Sequence, residues 1–203
     1  MRKYDLNENF FNELNEKSAY WLGFLYADGY VRIKDGKSGE LKLKLKETDK
    51  EHIEKFLNDI SSNKPIKCGI DGKSKFCSVS LYSNKLVKKL IELGCDNNKT
   101  QKIRLPKINE DLMNHFIRGY FDGDGSIYKV KNRPNSFVVS ICSNKKFNED
   151  VIKFFGFGKD YKYNNYSVIK ISKIMEIKKF KEYIYSNAVT LLERKLNKFK
   201  QIK

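Results

Sequence analysis

The sequence predicts an α+β fold in two pseudo-symmetric α-ββ-α-ββ-α halves, with paired helices at the centre and a saddle-shaped β-sheet face. Three observations carry this. Gly23-Phe24-Leu25-Tyr26-Ala27-Asp28-Gly29 returns as Gly119-Tyr120-Phe121-Asp122-Gly123-Asp124-Gly125, and 119 − 23 and 124 − 28 are both 96. Alternation of apolar and polar residues, the period of a half-buried strand, is strict in Leu41–Lys46 after the first copy. The order of helix and strand signals then recurs after the second copy, as a structural repeat requires.

Taken in order, residues 1–17 are polar with Phe10, Phe11 and Leu14 at helical spacing, and read as a short covering helix. Ser18 stands where the first motif helix, 18–28, needs an N-cap. Tyr30–Lys34 and Leu41–Lys46 form a hairpin, the second strand presenting three leucines on one face and three lysines on the other. Thr48-Asp49-Lys50-Glu51 has the form of a capping box, opening a helix that runs to Ile60 with Ile53, Phe56, Leu57 and Ile60 in one stripe. A second hairpin turns at Asp71-Gly72, and Ser83 caps a helix ending at Gly94. Residues 1–103 make the first half, 104–110 the connection through Pro106, and 111–203 the second half, with Asn109 as the cap of its motif helix. Strands at 126–132, 136–143, 160–164 and 166–172, helices at 145–155 and 173–186, and a last helix from 188 complete the repeat.

Gly23 and Ala27, like Gly119 and Gly123, are four residues apart and share a helix face, which lets two backbones approach closely. Gly29 and Gly125 are expected in the left-handed conformation that ends helices. Asp28 and Asp124 then sit at the negative ends of their helix dipoles, each unfavourable by roughly 0.3–1 kcal/mol. Packed side by side, they also repel. A divalent cation relieves both penalties, and hard oxygen ligands suit Mg2+, with the main-chain carbonyls of Ala27 and Gly123 beside the acids. A lone Asp-Gly is usually only a turn; the duplication favours a site.

These residues carry a resemblance. Leu22–Gly29 and Ile117–Gly125 resemble the paired motifs of the LAGLIDADG homing endonucleases, whose two-motif single-chain form is similar in length to this chain. The first copy departs at Tyr26, where the motif has its earlier acid; the second keeps Asp122. The resemblance implies a monomeric, metal-dependent, site-specific DNA endonuclease of the intron-homing type. It would hydrolyse phosphodiesters across the minor groove of a long asymmetric double-stranded target, with Asp28 and Asp124 as metal ligands. Lys99 and Lys195, again 96 apart, are similar to the family's active-site lysines, one per half. Glu47 and its repeat mate Ser143 follow the long strands, where a water-positioning group is useful.

Composition agrees with a polyanionic partner. The chain has 203 residues, 41 Lys+Arg against 25 Asp+Glu, and a net charge of +16. A two-stranded ribbon fits the major groove. The DNA-binding candidates are Arg32, Lys34, Lys42, Lys44 and Lys46 in the first half, and Tyr128, Val130, Val138, Ser140 and Cys142 at the same offset in the second. The unlike faces predict an asymmetric target.

Cys68, Cys77, Cys95 and Cys142 lack C-x-x-C spacing and only two histidines are present, so neither a zinc site nor a disulfide framework is expected. The thiols read as reduced. With no membrane-length apolar run and a polar start, the expectation is a soluble intracellular protein. The expectation is a free-standing enzyme, with no appended helix-turn-helix and no intein splicing blocks around the motifs. An RNA maturase on the same scaffold, with structured RNA as partner, and a non-catalytic DNA-binding regulator are the alternatives. Paired acids have no use in pure binding, which weighs against the regulator.

Overall fold

The structure is a computed structural model that describes residues 3–33, 38–96 and 103–202. The first half contains α1 (Glu16–Asp28), β1 (Gly29–Arg32), β2 (Glu40–Lys46), α2 (Lys50–Asp59), β3 (Lys67–Asp71), β4 (Ser74–Tyr82) and α3 (Asn84–Glu92). The second contains α4 (Met113–Asp124), β5 (Gly125–Val130), β6 (Arg133–Ser143), α5 (Lys145–Phe155), β7 (Lys159–Lys162), β8 (Ser167–Ile171), α6 (Ile174–Tyr185) and α7 (Glu193–Phe199). Each half has one four-stranded antiparallel sheet, ordered β1-β2-β4-β3 and β5-β6-β8-β7. Among the described residues, no helix is long and apolar enough to cross a membrane.

α1 is buried from Ser18 to Tyr26, and α4 from Met113 to Asp122 apart from Asn114. The two helices pack on each other in parallel. A Cβ at Gly23 would collide with the Phe116 carbonyl oxygen and stand 2.9 Å from the Tyr120 nitrogen. One at Gly119 would meet the Tyr20 carbonyl oxygen and stand 2.8 Å from the Phe24 nitrogen. Ala27 occupies the space beside Gly123. The expected small-residue seam is therefore the actual contact, backbone against backbone.

The sheets cover this pair with their apolar faces. Leu41, Leu43 and Leu45 are buried with Ile53, Phe56 and Leu57 of α2 and Leu86, Val87 and Leu90 of α3. The opposite face of β2 leaves Lys42 half-buried and Lys44 and Lys46 exposed. In the second half, Ile127, Val139, Ile141, Ile169 and Ile171 form the equivalent inner face.

Several local expectations need correction. Residues 7–13 form turns rather than a helix, although Phe10 and Phe11 are buried. The cap of α1 is Asn15, whose side chain accepts from the Lys17 and Ser18 N–H groups; Ser18 is the reciprocal partner three residues on. Thr48–Glu51 is not a capping box. Glu47–Asp49 make a 3-10 turn, and Asp49, although at the N-cap of α2, makes no side-chain cap bond because Arg194 holds its carboxylate. Ser83 caps α3 as expected, while Asn109 caps a 3-10 turn, Glu110–Leu112, that leads into α4. The last helix begins at Glu193 rather than near 188.

Gly29 and Gly125 are not left-handed: φ is −76° and −81°, with ψ 147° and 157°, so each helix runs straight into a strand. Glycine is needed there for space instead. A Cβ at Gly29 would lie 2.9 Å from the Leu25 Cα, and one at Gly125 would run into the Phe121 ring.

The cysteines also differ from expectation. Cys68 and Cys77 are direct cross-strand partners on β3 and β4, with Cα atoms 4.0 Å apart, and are joined by a disulfide. Their separation along the chain conceals a register that opposes them. Cys95 is buried and Cys142 is exposed.

Candidate active site

Asp28 is the last residue of α1 and Asp124 the last of α4, so parallel packing puts both acids at the same end of the pair. Both are exposed. The Asp28 carboxylate reaches across the seam: its Oδ2 would be 3.2 Å from a Cβ at Gly123. Ala27 and Gly123 are half-buried beside them. Neither helix has a basic residue in its last turn to offset the negative dipole end.

Lys195, on α7, is only 5% exposed. Its Nζ donates to the carbonyl of Gly125, the residue after Asp124, and lies 3.5 Å from the Phe121 carbonyl oxygen. Burial and the neighbouring Arg194 push its pKa down to about 8, with Asp122 and Asp28 pulling the other way. A lysine whose proton is loosened near neutrality, at the end of the helix bearing an acid, suits proton transfer or charge stabilisation. Lys99, its expected counterpart, and Lys34 lie outside the described residues. Glu47 is exposed and 3.6 Å from Lys75 Nζ. Ser143 accepts a hydrogen bond from the Tyr120 hydroxyl at 2.8 Å.

Among the described residues no group of three or more His, Cys, Asp or Glu is placed to hold a metal. Two exposed carboxylates with adjacent carbonyls form an incomplete oxygen set. That fits Mg2+, which takes one or two protein carboxylates and fills its shell with water and substrate phosphate.

The buried polar groups behind the acids are not among the expected site residues. Asp122 is fully buried and accepts from the Tyr20 hydroxyl at 2.9 Å, the Tyr185 hydroxyl at 2.7 Å and the Leu192 N–H at 2.7 Å. Burial raises its pKa to about 6 against those three hydrogen bonds. Arg118, also fully buried, donates to the carbonyls of Thr190 and Ile184 at 2.8 and 2.9 Å. A charged residue inside an apolar helix is the one signal that could have flagged both.

On the sheet face, Lys44 pairs with Asp71 at 2.8 Å and sits 4.0 Å from the centre of the Phe76 ring, while Arg32 pairs with Glu40 at 2.6 Å. Tyr128 and Cys142 are exposed and Val130 is half-buried, but Val138 and Ser140 are only 8% and 9% exposed and offer little surface. A charge of the second face stands instead on the strand beside β6. Lys170 of β8, opposite Ser140 of β6, lies 4.5 Å from the centre of the exposed Tyr161 ring on β7. Tyr163 and Tyr166 stack at 4.8 Å at the end of the same hairpin.

A pair of half-sheets hung on two parallel, glycine-seamed helices that both end in aspartate defines the LAGLIDADG fold. Residues 111–185 match the family model of the LAGLIDADG-like domain. The LAGLIDADG meganuclease I-AabMI bound to uncleaved DNA superimposes with a TM-score of 0.64 at 14% identity, covering 93% of this chain and 89% of that one. The LAGLIDADG homing endonuclease I-GzeII in complex with its DNA target gives 0.61 at 13% identity over 93% and 89%. I-SmaMI bound to cleaved DNA gives 0.61 at 16% over 93% and 88%. Among curated proteins, the Replication factor C small subunit of Methanocaldococcus jannaschii is 31% identical over 150 residues, 70% of this chain. The uncharacterized protein MJ1054 of that organism is 25% identical over 188 residues, 84% of this chain. The chain spans 7% and 21% of the length of these two relatives.

Proposed function

We propose that this chain is a metal-dependent, site-specific double-strand DNA endonuclease of the homing type, acting as a monomer. The observation that carries the reading is the placement of Asp28 and Asp124 at one end of a parallel helix pair, between two sheets whose outer faces bear Lys44, Lys46, Lys170 and exposed tyrosines. Pure binding gains nothing from two acids at the negative ends of two dipoles, because they repel phosphate. A nuclease does gain.

Phosphodiester hydrolysis needs an in-line water, neutralisation of the charge gathering on the non-bridging oxygens, and support for the leaving oxygen. A bound Mg2+ supplies charge neutralisation and an acidified water. Asp28 and Asp124, with the Ala27 and Gly123 carbonyls, would hold it. Lys195 stands at the end of α4, where its ammonium can meet the developing charge or pass a proton. Glu47 and Ser143 flank the strand ends and would order water. The lysines and tyrosines of the sheet anchor phosphates and read the major groove, cutting across the intervening minor groove. Sixteen formal charges of excess favour a polyanion as long as duplex DNA.

Cleavage selection on a randomised DNA library, with Mg2+ and separately with Ca2+, tests the reading. The expected result is double-strand cutting at one long asymmetric site with Mg2+, and binding without cutting with Ca2+. Cutting of no DNA, with tight binding to a folded RNA instead, would overturn it.

A further inference from the structure

Three consecutive residues at the start of α7 are tied to three different places. The Leu192 N–H donates to Asp122 on α4 at 2.7 Å. Glu193 pairs with Lys55 on α2 at 2.5 Å. Arg194 forks onto Asp49 at the head of α2, with Nε 2.9 Å from Oδ1 and Nη2 2.8 Å from Oδ2. The next residue is Lys195.

These ties are unequal. The Lys55–Glu193 pair is open to water, with side chains 38% and 62% exposed, and an ion pair of that kind holds little. The Asp49 side chain is 7% exposed, and both its oxygens are engaged by one guanidinium. A planar fork of this kind fixes orientation as well as distance. Asp49 also stands at an N-cap position, where a carboxylate ordinarily binds the first free N–H groups of the helix. It makes no such bond, its carboxylate being engaged by Arg194. The capping group is thus diverted from its own helix to a residue 145 positions away, one place before the candidate lysine.

We propose that Asp49 is a positioning residue: through Arg194 it holds α7 against the first half and so sets Lys195 at the end of α4. The first half would then govern cutting by the second. This rests on the nuclease reading above. A site displaced by about 1 Å costs on the order of a hundredfold in rate. Because α7 carries only one of the two expected lysines, the loss falls on one strand of the duplex.

The test is a strand-resolved cleavage assay with Mg2+ on a plasmid carrying the selected target, each strand separately labelled. Lys195→Met identifies the strand its half cuts. Asp49→Asn is expected to slow that same strand by about a hundredfold, leaving the other at the wild-type rate, so that singly nicked plasmid accumulates. Combining Asp49→Asn with Lys195→Met should add nothing to Lys195→Met alone, because both changes act through one group. If Asp49→Asn does not fold, Arg194→Met, at a half-exposed side chain, reads the same bias. Equal slowing of both strands, no slowing, or additive losses would overturn the inference while leaving the nuclease intact. A wild-type chain that cuts no DNA overturns both.

Discussion

The Tyr20 hydroxyl donates to the Asp122 carboxylate across 2.9 Å, both side chains fully buried and one from each half of the molecule. His52 Nε2 lies 2.9 Å from the same hydroxyl. With the tyrosine proton committed to Asp122, Nε2 must carry the imidazole hydrogen, and Nδ1 is left as the acceptor. Among the described residues Nδ1 has no hydrogen-bond partner. A hydrogen-bonded chain thus runs from α2 through the helix seam to α4 and on to Tyr185 and Leu192.

Protonating His52 would bury a second N–H with nothing to receive it. Burial, and then Lys55, lower its pKa from 6.5 to about 4, while Glu193 and Asp49 oppose and Arg194 assists. Between those values the folded state holds fewer protons than the unfolded chain, so the contribution is full above 6.5 and is lost as pH falls towards 4. His52→Gln should lose less urea resistance than wild type between about pH 7.5 and about pH 4.5. Equal losses would remove His52 as the cause.

The seam offers a sharper stability test. A methyl at Gly23 or Gly119 meets backbone carbonyl oxygen, which cannot rotate away. Gly23→Ala and Gly119→Ala are each expected to cost about 3 kcal/mol, the upper end for overpacking. Chemical denaturation measures this. A midpoint unchanged from wild type would mean that the helices separate easily.

Asp28→Asn or Asp124→Asn should leave DNA affinity within about threefold of wild type, a change of under 1 kcal/mol, and abolish double-strand cleavage. Gel shifts in Ca2+ read the first and plasmid linearisation in Mg2+ the second. Normal cutting of both strands by either variant removes that acid from the chemistry.

Lys44 is drawn towards the exposed Asp71. Lys44→Ala should weaken binding at every sequence and reduce the salt slope by about one unit. Asp71→Asn should do the opposite to affinity, since the ammonium no longer has to leave a carboxylate to reach phosphate. Binding isotherms at several salt concentrations check both. Unchanged slopes would place DNA elsewhere than β2.

Much of this architecture was legible because it is written in periods. The alternation of Leu41 to Lys46 gave the inner and outer faces of β2, and the repeat offset gave the helix seam and both acids. Features that depend on register or on distant partners were not legible. Cys68 and Cys77 look unrelated until β3 is laid against β4. Asp49 has every local mark of a cap, yet its partner is Arg194. Val138 and Ser140 inherited a role by offset from lysines, but both are nearly buried, and the lysine opposite Ser140 is Lys170 of β8. The repeat singled out Lys195 as a candidate, but gave no sign of its burial against the Gly125 carbonyl.

Asp28 and Gly29 are chain neighbours, yet one closes a helix and the other opens a strand, and the same holds for Asp124 and Gly125. With no hinge between them, whatever lies along a strand meets its acid at a constant offset, like marks on a ruler counted from a fixed zero. On the nuclease reading, rewriting the outward side chains of β1 or β5 would alter which duplex is gripped but not where along it the acids fall; only added residues at those two junctions could move that point.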